Sequence, residues 1–246
     1  IQRTTRKLHI TAQGQAFFKQ CLEGLQLIRA AQSELTIHQE EPQGLLRITA
    51  PVELGSHFLP KIIPEFTRKF PKVNVEILLS DHQVDLVSEG VDLAIRVGNL
   101  KDSSLIAKKM GVVCFAPFAS PLYLKKHPPI SHPKDLKPQS CISFSNIGSN
   151  EWKLTHHKTS IKIALHGRIL INDLNMVKNL TVSGQGIALL PTFFCREEVK
   201  KGTLKRVLPD WHSELTPVHL VYPAQKFIAP KLSAFLSQLK TITFEA

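Results

Sequence analysis

The 246-residue sequence predicts an α/β fold of two lobes set behind one long amphipathic helix. Three observations predict it. Apolar residues recur every three or four positions from Ala12 to about Glu40, strand and helix patterns alternate from Leu45 to Val97, and the alternation restarts after Ser120. Hydrophobic residues are 43% of the chain and charged residues 21%, so a packed core is expected rather than disorder.

The chain opens on a basic segment. Arg3, Arg6 and Lys7 surround the pair Thr4-Thr5, and Leu8 and Ile10 alternate with His9 as in a short strand. This reads as a two-stranded basic turn able to lie along a phosphate backbone, because phosphate contacts need local density of charge. The net charge of +11 likewise favours an acidic partner, with nucleic acid the first candidate and a merely basic cytosolic protein the alternative. Thr11 then stands as N-cap of the long helix. Phe18, Cys21, Leu22, Leu25, Ile28, Ala31 and Leu35 form its apolar stripe, and Lys19, Glu23, Arg29 and Glu34 lie opposite. About 28 residues make a rod of roughly 42 Å. A stripe so narrow on a helix so long asks for a partner helix, the alternative being a helix docked on its own domain. Pro42-Gln-Gly44 stops it.

The first lobe follows as strand Leu45–Ala50, helix Gly55–Phe70, strand Val73–Ser80, helix His82–Glu89 and strand Asp92–Val97. That order calls for a parallel sheet with right-handed crossovers. Strands Leu105–Lys109 and Val112–Phe118 come next. The second lobe reads as helix Pro121–Lys126, strand Cys141–Phe144, and a hairpin through Trp152–Leu154 and Ile161–Leu165. Strand Ile169–Ile171, helix Asp173–Ser183 and a buried strand Gly186–Leu190 after the Gly184-Gln-Gly186 turn come next. Helix Pro191–Lys200 and strands Leu204–Leu208 and Pro217–Tyr222 lead to a closing helix Ile228–Lys240. A tail returning to the first lobe explains this arrangement better than two beads on a string, and the crossing creates a cleft where such sheets bind ligands.

Several chemistries have no support. The cysteines Cys21, Cys114, Cys141 and Cys195 form no Cys-x-x-Cys pair, so buried structural thiols are expected in place of zinc or disulfides. His156-His157, adjacent on a strand, point to opposite faces and are a poor chelate. No His-Glu-x-x-His, P-loop or Gly-x-Ser-x-Gly motif occurs, and neither an enzyme nor a cofactor is expected. No run reaches the apolar length of a membrane span and no signal-peptide pattern is present, so a cytoplasmic protein without a membrane partner is expected.

The string Arg3-Thr-Thr-Arg-Lys-Leu-x-Ile-Thr-x-x-Gly14 resembles the wing and linker-helix start of LysR-type transcriptional regulators. The resemblance runs on through Gly44-Leu-Leu-Arg-Ile-Thr-Ala-Pro51 and Phe70-Pro-x-Val-x-Val-Glu-Ile-Leu-Leu-Ser-Asp81. Its most specific piece is Val84-Asp-Leu-Val-Ser-Glu-Gly-Val-Asp-Leu-Ala-Ile-Arg-Val-Gly98, followed by Asp102-Ser-Ser-Leu-Ile-Ala107. Gly184-Gln-Gly-Ile-Ala-Leu-Leu-Pro191, Val207-Leu-Pro-Asp-Trp211 and Pro217-Val-His-Leu-Val-Tyr-Pro223 complete it, the last resembling regulators of aromatic-acid and efflux genes.

The resemblance implies a bilobal periplasmic-binding-protein-like effector domain of two Rossmann-like subdomains, preceded by a linker helix. The implied division is a wing remnant at 1–11, a linker and dimerisation helix at 12–43, subdomain I at 44–119 plus 218–246, and subdomain II at 120–217. With no recognition helix before the wing, the chain is read as a truncated regulator. The implied partners are DNA, through Arg3, Thr4, Thr5, Arg6 and Lys7, a small-molecule effector, and further copies of the chain as homodimer or homotetramer through Phe18, Leu22, Leu25, Ile28 and Leu35.

Carried over position by position, the effector site comprises Ala50, Pro51 and Val52, then Ser80, then Val97 and Gly98. The second lobe adds Phe144, Ser145 and Asn146, then Asn172 and Asp173. Helix N-termini there would favour an anionic group. Each residue also has a plainer explanation: Ser80 and Asp173 as helix caps, Asn146 as a turn residue. Two other functions compete with the regulator, a periplasmic-type solute-binding protein and an enzyme on the same scaffold, both resting on the bilobal pattern alone.

Overall fold

The computed structural model describes residues 2–3, 8–9, 11–18, 20–21, 24–25, 28, 41–82, 84–100, 105–147, 151–165, 167–224 and 228–239. At the start, β1 (Gln2–Arg3) and β2 (Leu8–His9) pair antiparallel, with Gln2 opposite His9 and Arg3 opposite Leu8. Thr4, Thr5, Arg6, Lys7, Leu22 and Leu35 lie outside the described residues. Residues 12–18, 20–21, 24–25 and 28 are helical and constitute the described part of α1. Its entry is capped as the sequence predicts, the Thr11 hydroxyl accepting from the Gly14 amide at 3.1 Å.

Two five-stranded sheets follow. The first holds β3 (Gly44–Ala50), β4 (Val73–Leu79), β5 (Leu93–Val97), β6 (Leu105–Val113) and β14 (Thr216–Pro223), in the order β4-β3-β5-β14-β6. β4 and β5 both run parallel to β3, whereas β14 is antiparallel to its neighbours β5 and β6. The second sheet holds β7 (Phe115–Ala119), β8 (Cys141–Phe144), β11 (Gly167–Ile171), β12 (Ile187–Pro191) and β13 (Lys205–Arg206), in the order β11-β8-β12-β7-β13. The hairpin β9 (Glu151–His156) and β10 (Thr159–Ala164) stands apart from it. β14 thus enters the first sheet from the end of the second lobe. β7, grouped by sequence with the first lobe, lies in the second sheet, so the chain crosses at Cys114 and again before Thr216.

Every residue of β8 and β12 is buried, the continuous apolar pattern of strands covered on both faces. α2 (Val52–Phe58), α3 (Ile63–Lys69) and α7 (Pro230–Leu239) supply Leu54, Phe66 and Phe235 to the first core, where Phe66 meets Phe235 edge-on at 4.9 Å. α4 (Pro121–Leu124), α5 (Leu174–Val182) and α6 (Arg196–Lys200) belong to the second lobe, whose buried residues include Trp152, Ile142 and Val177. A polar network also braces the first sheet. Arg47 pairs with Glu76 at 2.7 Å, while Asp92 accepts from the Arg47 amide and from Lys231 of α7, each at 2.8 Å.

Several elements depart from the sequence reading, among them the strand expected over Val112–Phe118, which is broken at Cys114 between the end of β6 and β7. The helix expected over Gly55–Phe70 begins at Val52 and is interrupted by a single 3₁₀ turn at Leu59–Lys61, since Pro60 and Pro64 have no amide to continue the ladder. Among the described residues of His82–Glu89 no helix forms. The Asp85 carboxylate takes the Val87 and Ser88 amides and closes one turn, and the Arg96 guanidinium donates to the His82 and Val84 carbonyls. The helix expected over Pro191–Lys200 is a 3₁₀ turn, Thr192–Cys195, before α6, and the strand expected over Leu204–Leu208 shortens to β13. Among the described residues no helix is long and apolar enough to cross a membrane.

Gly186 is where the second sheet tolerates no side chain. A Cβ there would lie 2.6 Å from the Ser140 carbonyl oxygen, the group that accepts from the Ile187 amide. Gly186→Ala should therefore lower the urea midpoint, by about 1–3 kcal/mol in unfolding free energy as for other overpacked sites. Gly24→Ala, with nothing within 4 Å, is the control and should not.

Candidate functional site

In both sheets parallel strands end side by side. Ala50 of β3 is in register with Leu79 of β4, and Phe144 of β8 with Ile171 of β11. The carboxyl ends of these strands, and the helices that start there, are where an open α/β sheet receives ligands.

The first lobe contributes the turn from β3 into α2. Ala50 is fully buried and its carbonyl accepts the Ser80 amide at 2.9 Å, joining the exits of β3 and β4. Pro51 is the N-cap residue and has no side-chain cap to offer, so the Val52 amide is met by Asp81 Oδ1 at 3.1 Å. The Ser80 hydroxyl accepts the His82 amide at 3.1 Å, holding the turn that delivers Asp81. Val97 is exposed, and Gly98, with φ of 102°, donates its amide to Pro217 of β14. That φ lies in the region glycine favours.

The second lobe contributes the exits of β8 and β11. Phe144 is buried in the core beside Leu174, whereas Ser145 and Asn146 are exposed and hydrogen-bonded to each other. Asn172 is exposed, and Asp173 caps α5 by accepting the Met176 amide at 2.6 Å. The cap explanations offered by sequence therefore hold for Asp173, and for Ser80 in the form of a turn instead of a helix.

One buried polar residue near the cleft is one the sequence reading did not single out. Glu53, in the first turn of α2, is only 6% exposed. Burial raises its pKa above the ordinary carboxylate value, and repulsion from Asp81 and Asp173 adds to the rise. Both helix starts thus already hold the chain's own carboxylates, where the sequence reading looked for a ligand's anion. One turn along the same face, the His57 ring meets Phe193 of the second lobe at 5.4 Å in a tilted arrangement, and Phe58 meets the same ring at 5.4 Å. Burial, with Lys61, Arg196 and Lys178 nearby, lowers the pKa of His57. The signal for Glu53 was present, an acidic residue just after a strand that exits into a helix, but its burial is set by the fold.

No group of three His, Cys, Asp or Glu side chains suited to a metal occurs among the described residues. Of the cysteines, Cys114, Cys141 and Cys195 are buried and Cys21 is exposed. Burial pushes the Cys141 and Cys195 thiols up to about 12.

The LysR substrate binding domain family matches residues 39–242. The chain belongs to the LysR-type transcriptional regulators. It is 32% identical to the HTH-type transcriptional regulator PtxR of Pseudomonas aeruginosa, over 98% of this chain and 77% of that protein. It superposes on the full-length Vibrio cholerae virulence activator AphB with a TM-score of 0.78 at 30% identity, covering 99% of this chain and 83% of that one. Against CrgA of Neisseria meningitidis, a LysR-type transcriptional regulator, the TM-score is 0.74 at 28% identity, with 98% and 82% covered. The two sheets are the two subdomains of the family's periplasmic-binding-protein-like fold. These relatives favour the regulator over the solute-binding alternative.

The raised pKa of Glu53 sets a pH dependence with a definite sign. The folded state holds this proton more tightly than the unfolded chain, so the contribution is fully present below the ordinary value of 4.5 and is lost as pH rises through the raised one. Glu53→Gln should accordingly gain on the parent in urea unfolding between about pH 4 and pH 7. An equal difference at both ends would show that the carboxylate is not perturbed.

Proposed function

We propose that this regulator binds a small-molecule effector in the cleft between its lobes and passes the resulting change in lobe angle through α1 to a DNA-bound head. The observation that carries this reading is that the β3–α2 turn and the Ser80–Asp81 turn lie at the start of α2, the helix that meets Phe193 of the second lobe. A ligand there touches both lobes, which is what a change of angle requires; equal affinity for two arrangements would shift nothing. The effector residues are Ala50, Pro51, Val52, Ser80, Val97, Gly98, Phe144, Ser145, Asn146, Asn172 and Asp173. Ala50 and Phe144 act from the buried side as supports, and Gly98 supplies backbone. An effector carrying an anion turns that charge away from Glu53, Asp81 and Asp173.

The remaining parts follow from the division given by sequence, wing at 1–11 and linker at 12–43, with the subdomain boundaries moved to the crossings at Cys114 and before Thr216. Arg3, Thr4, Thr5, Arg6 and Lys7 contact phosphates, which position a protein on DNA without specifying sequence. α1 pairs with a second copy. Phe18, Leu25 and Ile28 are 55%, 53% and 57% exposed, an apolar stripe open to a partner. The protein acts in the cytoplasm, where DNA is, and carries out no catalysis.

Three measurements check this. Replacing Leu22, Leu25 and Ile28 with Lys should yield monomers in sedimentation; unchanged oligomers would place the seam elsewhere. In the full-length protein, neutralising Arg3, Arg6 and Lys7 should weaken all DNA sequences about equally and flatten the salt dependence. A small-molecule panel should contain a compound that raises the melting temperature, an effect lost in Ser80→Leu if the cleft is the site.

A further inference from the structure

We propose that the loop of residues 125–139 on the second lobe is a second DNA contact, a rigid basic surface that takes the phosphate backbone beside the site held by the regulator's head. It rests on the chain belonging to a family of DNA-binding regulators and is independent of the effector cleft. The first support is where the charge lies. Lys125, Lys126, Lys134 and Lys137 stand in this one loop, with His127 and His132 between them and Asp135 as its single acid. All four lysines are exposed, and among the described residues none of them has an ion-pair partner. Elsewhere on this lobe Lys153, Lys162, Lys178 and Lys201 are each paired, with Glu214, Glu151, Glu198 and Glu197. Asp135 is spent inside the loop, accepting the Ser131 and His132 amides at 3.0 and 2.9 Å and the Ser131 hydroxyl at 3.2 Å.

The second support is that the loop is held in one shape. Tyr123 closes it: its hydroxyl donates to Gln139 Oε1 at 2.9 Å and accepts the Ser140 amide at 3.0 Å, so both ends meet at one side chain. The His127 ring stacks on that of Tyr123 at 3.8 Å. Pro128, Pro129, Pro133 and Pro138 fix four φ angles. His132 Nδ1 accepts the Lys134 amide at 3.2 Å, capping a 3₁₀ turn over Pro133–Leu136 whose Leu136 is buried in the second core. Consecutive Cα atoms are about 3.8 Å apart, so the backbone of Lys125, Lys126 and Lys137 lies within about 11 Å of the closure. That is close to the Debye length of about 8 Å in physiological salt, so these charges repel one another and a polyanion relieves the repulsion. A loop already ordered also loses little entropy on binding.

The third support is the loop's place in the fold. It leaves β7 through α4 and returns as β8. Phe118 lies opposite Ala188, and Cys141 beside Ile187, so the loop sits at the amino ends of β8 and β12. The strand exits at Phe144 and Ile171 are at the other edge of the sheet, and a ligand there leaves the loop uncovered. The residue types decide the partner. Protein interfaces centre on aromatic residues, Met and Arg and are depleted of Lys, whereas here the lysines face solvent and Tyr123 and Leu136 are buried. Phosphates ask only for local density of positive charge. A regulator tethered to DNA by its head meets the neighbouring phosphates at high effective concentration, so a contact too weak to act alone adds to the whole. Such a contact positions the lobe and reads no sequence.

The test uses the whole chain and a random-sequence DNA duplex, with binding followed by fluorescence anisotropy across a salt series. Replacing Lys125, Lys126, Lys134 and Lys137 together with Gln should lower the slope of log K against log salt by about three to four. It should also weaken binding at about 0.1 M salt at least tenfold. Replacing the paired Lys153 and Lys162 with Gln, on the same lobe, should change the slope by less than about one. A photo-cross-linker on Lys134→Cys, in a Cys21→Ser background, should attach to the duplex, and one on Lys162→Cys should not. Should the fourfold variant not fold, Lys125→Gln with Lys126→Gln takes its place, with half the loss of slope expected. A parent-like slope overturns the proposal, and so does an equal loss in the paired-lysine control or a chain that leaves the duplex unbound at low salt. Poly-glutamate that displaces the duplex at equal charge concentration assigns the loop to an acidic protein and overturns it too. Neutralising Arg3, Arg6 and Lys7 leaves the loop's share of the slope in place, so wing and loop are judged separately.

Discussion

The exchange of strands between the two sheets is the constraint on which the rest depends. β14 lies between β5 and β6 and is hydrogen-bonded to both, so the first sheet cannot be completed until the chain has finished building the second. The buried residues Val218, Leu220 and Tyr222 join the core of Leu46, Ile48 and Phe235, and α7 then closes that core. Two lobes that would otherwise be independent are thereby tied by two adjacent backbone crossings, with freedom to rotate and little freedom to separate.

That freedom gives the cleft its character. Parallel β3 and β4, and parallel β8, β11 and β12, end toward turns whose amides need partners, and side chains from the same turns supply most of them. Asp81 serves α2 and Asp173 serves α5. Glu53 is buried close by, and burial raises its pKa, with repulsion from Asp81 and Asp173 adding to the rise.

The network of Arg47, Glu76, Asp92 and Lys231 has a different role. Its pairs lie on the first sheet and on the helix that closes it, with side chains half-buried or less exposed. Partial desolvation strengthens such pairs relative to surface ones, and removing one partner costs more than the pair contributes. It braces the first subdomain as a single unit, so that an angular change is expressed at the hinge instead of being absorbed within the sheet.

The sequence by itself determined the local elements and their kind. The run of buried β8 and β12, the Thr11 and Asp173 caps and the return of the tail to the first lobe were all legible, because each rests on periodicity or on chemistry within a few residues. Local rules failed where a nearby side chain offered the backbone another partner, as when Asp85 closed a turn in place of a helix over His82–Glu89. The family resemblance pointed to the strand exits as the candidate site. What only the tertiary structure decided is which side chains meet between the lobes: His57 and Phe58 of α2 reach Phe193, which follows β12, and no sequence pattern brings them together. Their contact exists because β14 returns to the first sheet and the two sheets fold against one another at paired crossings, and that is a property of the assembled chain.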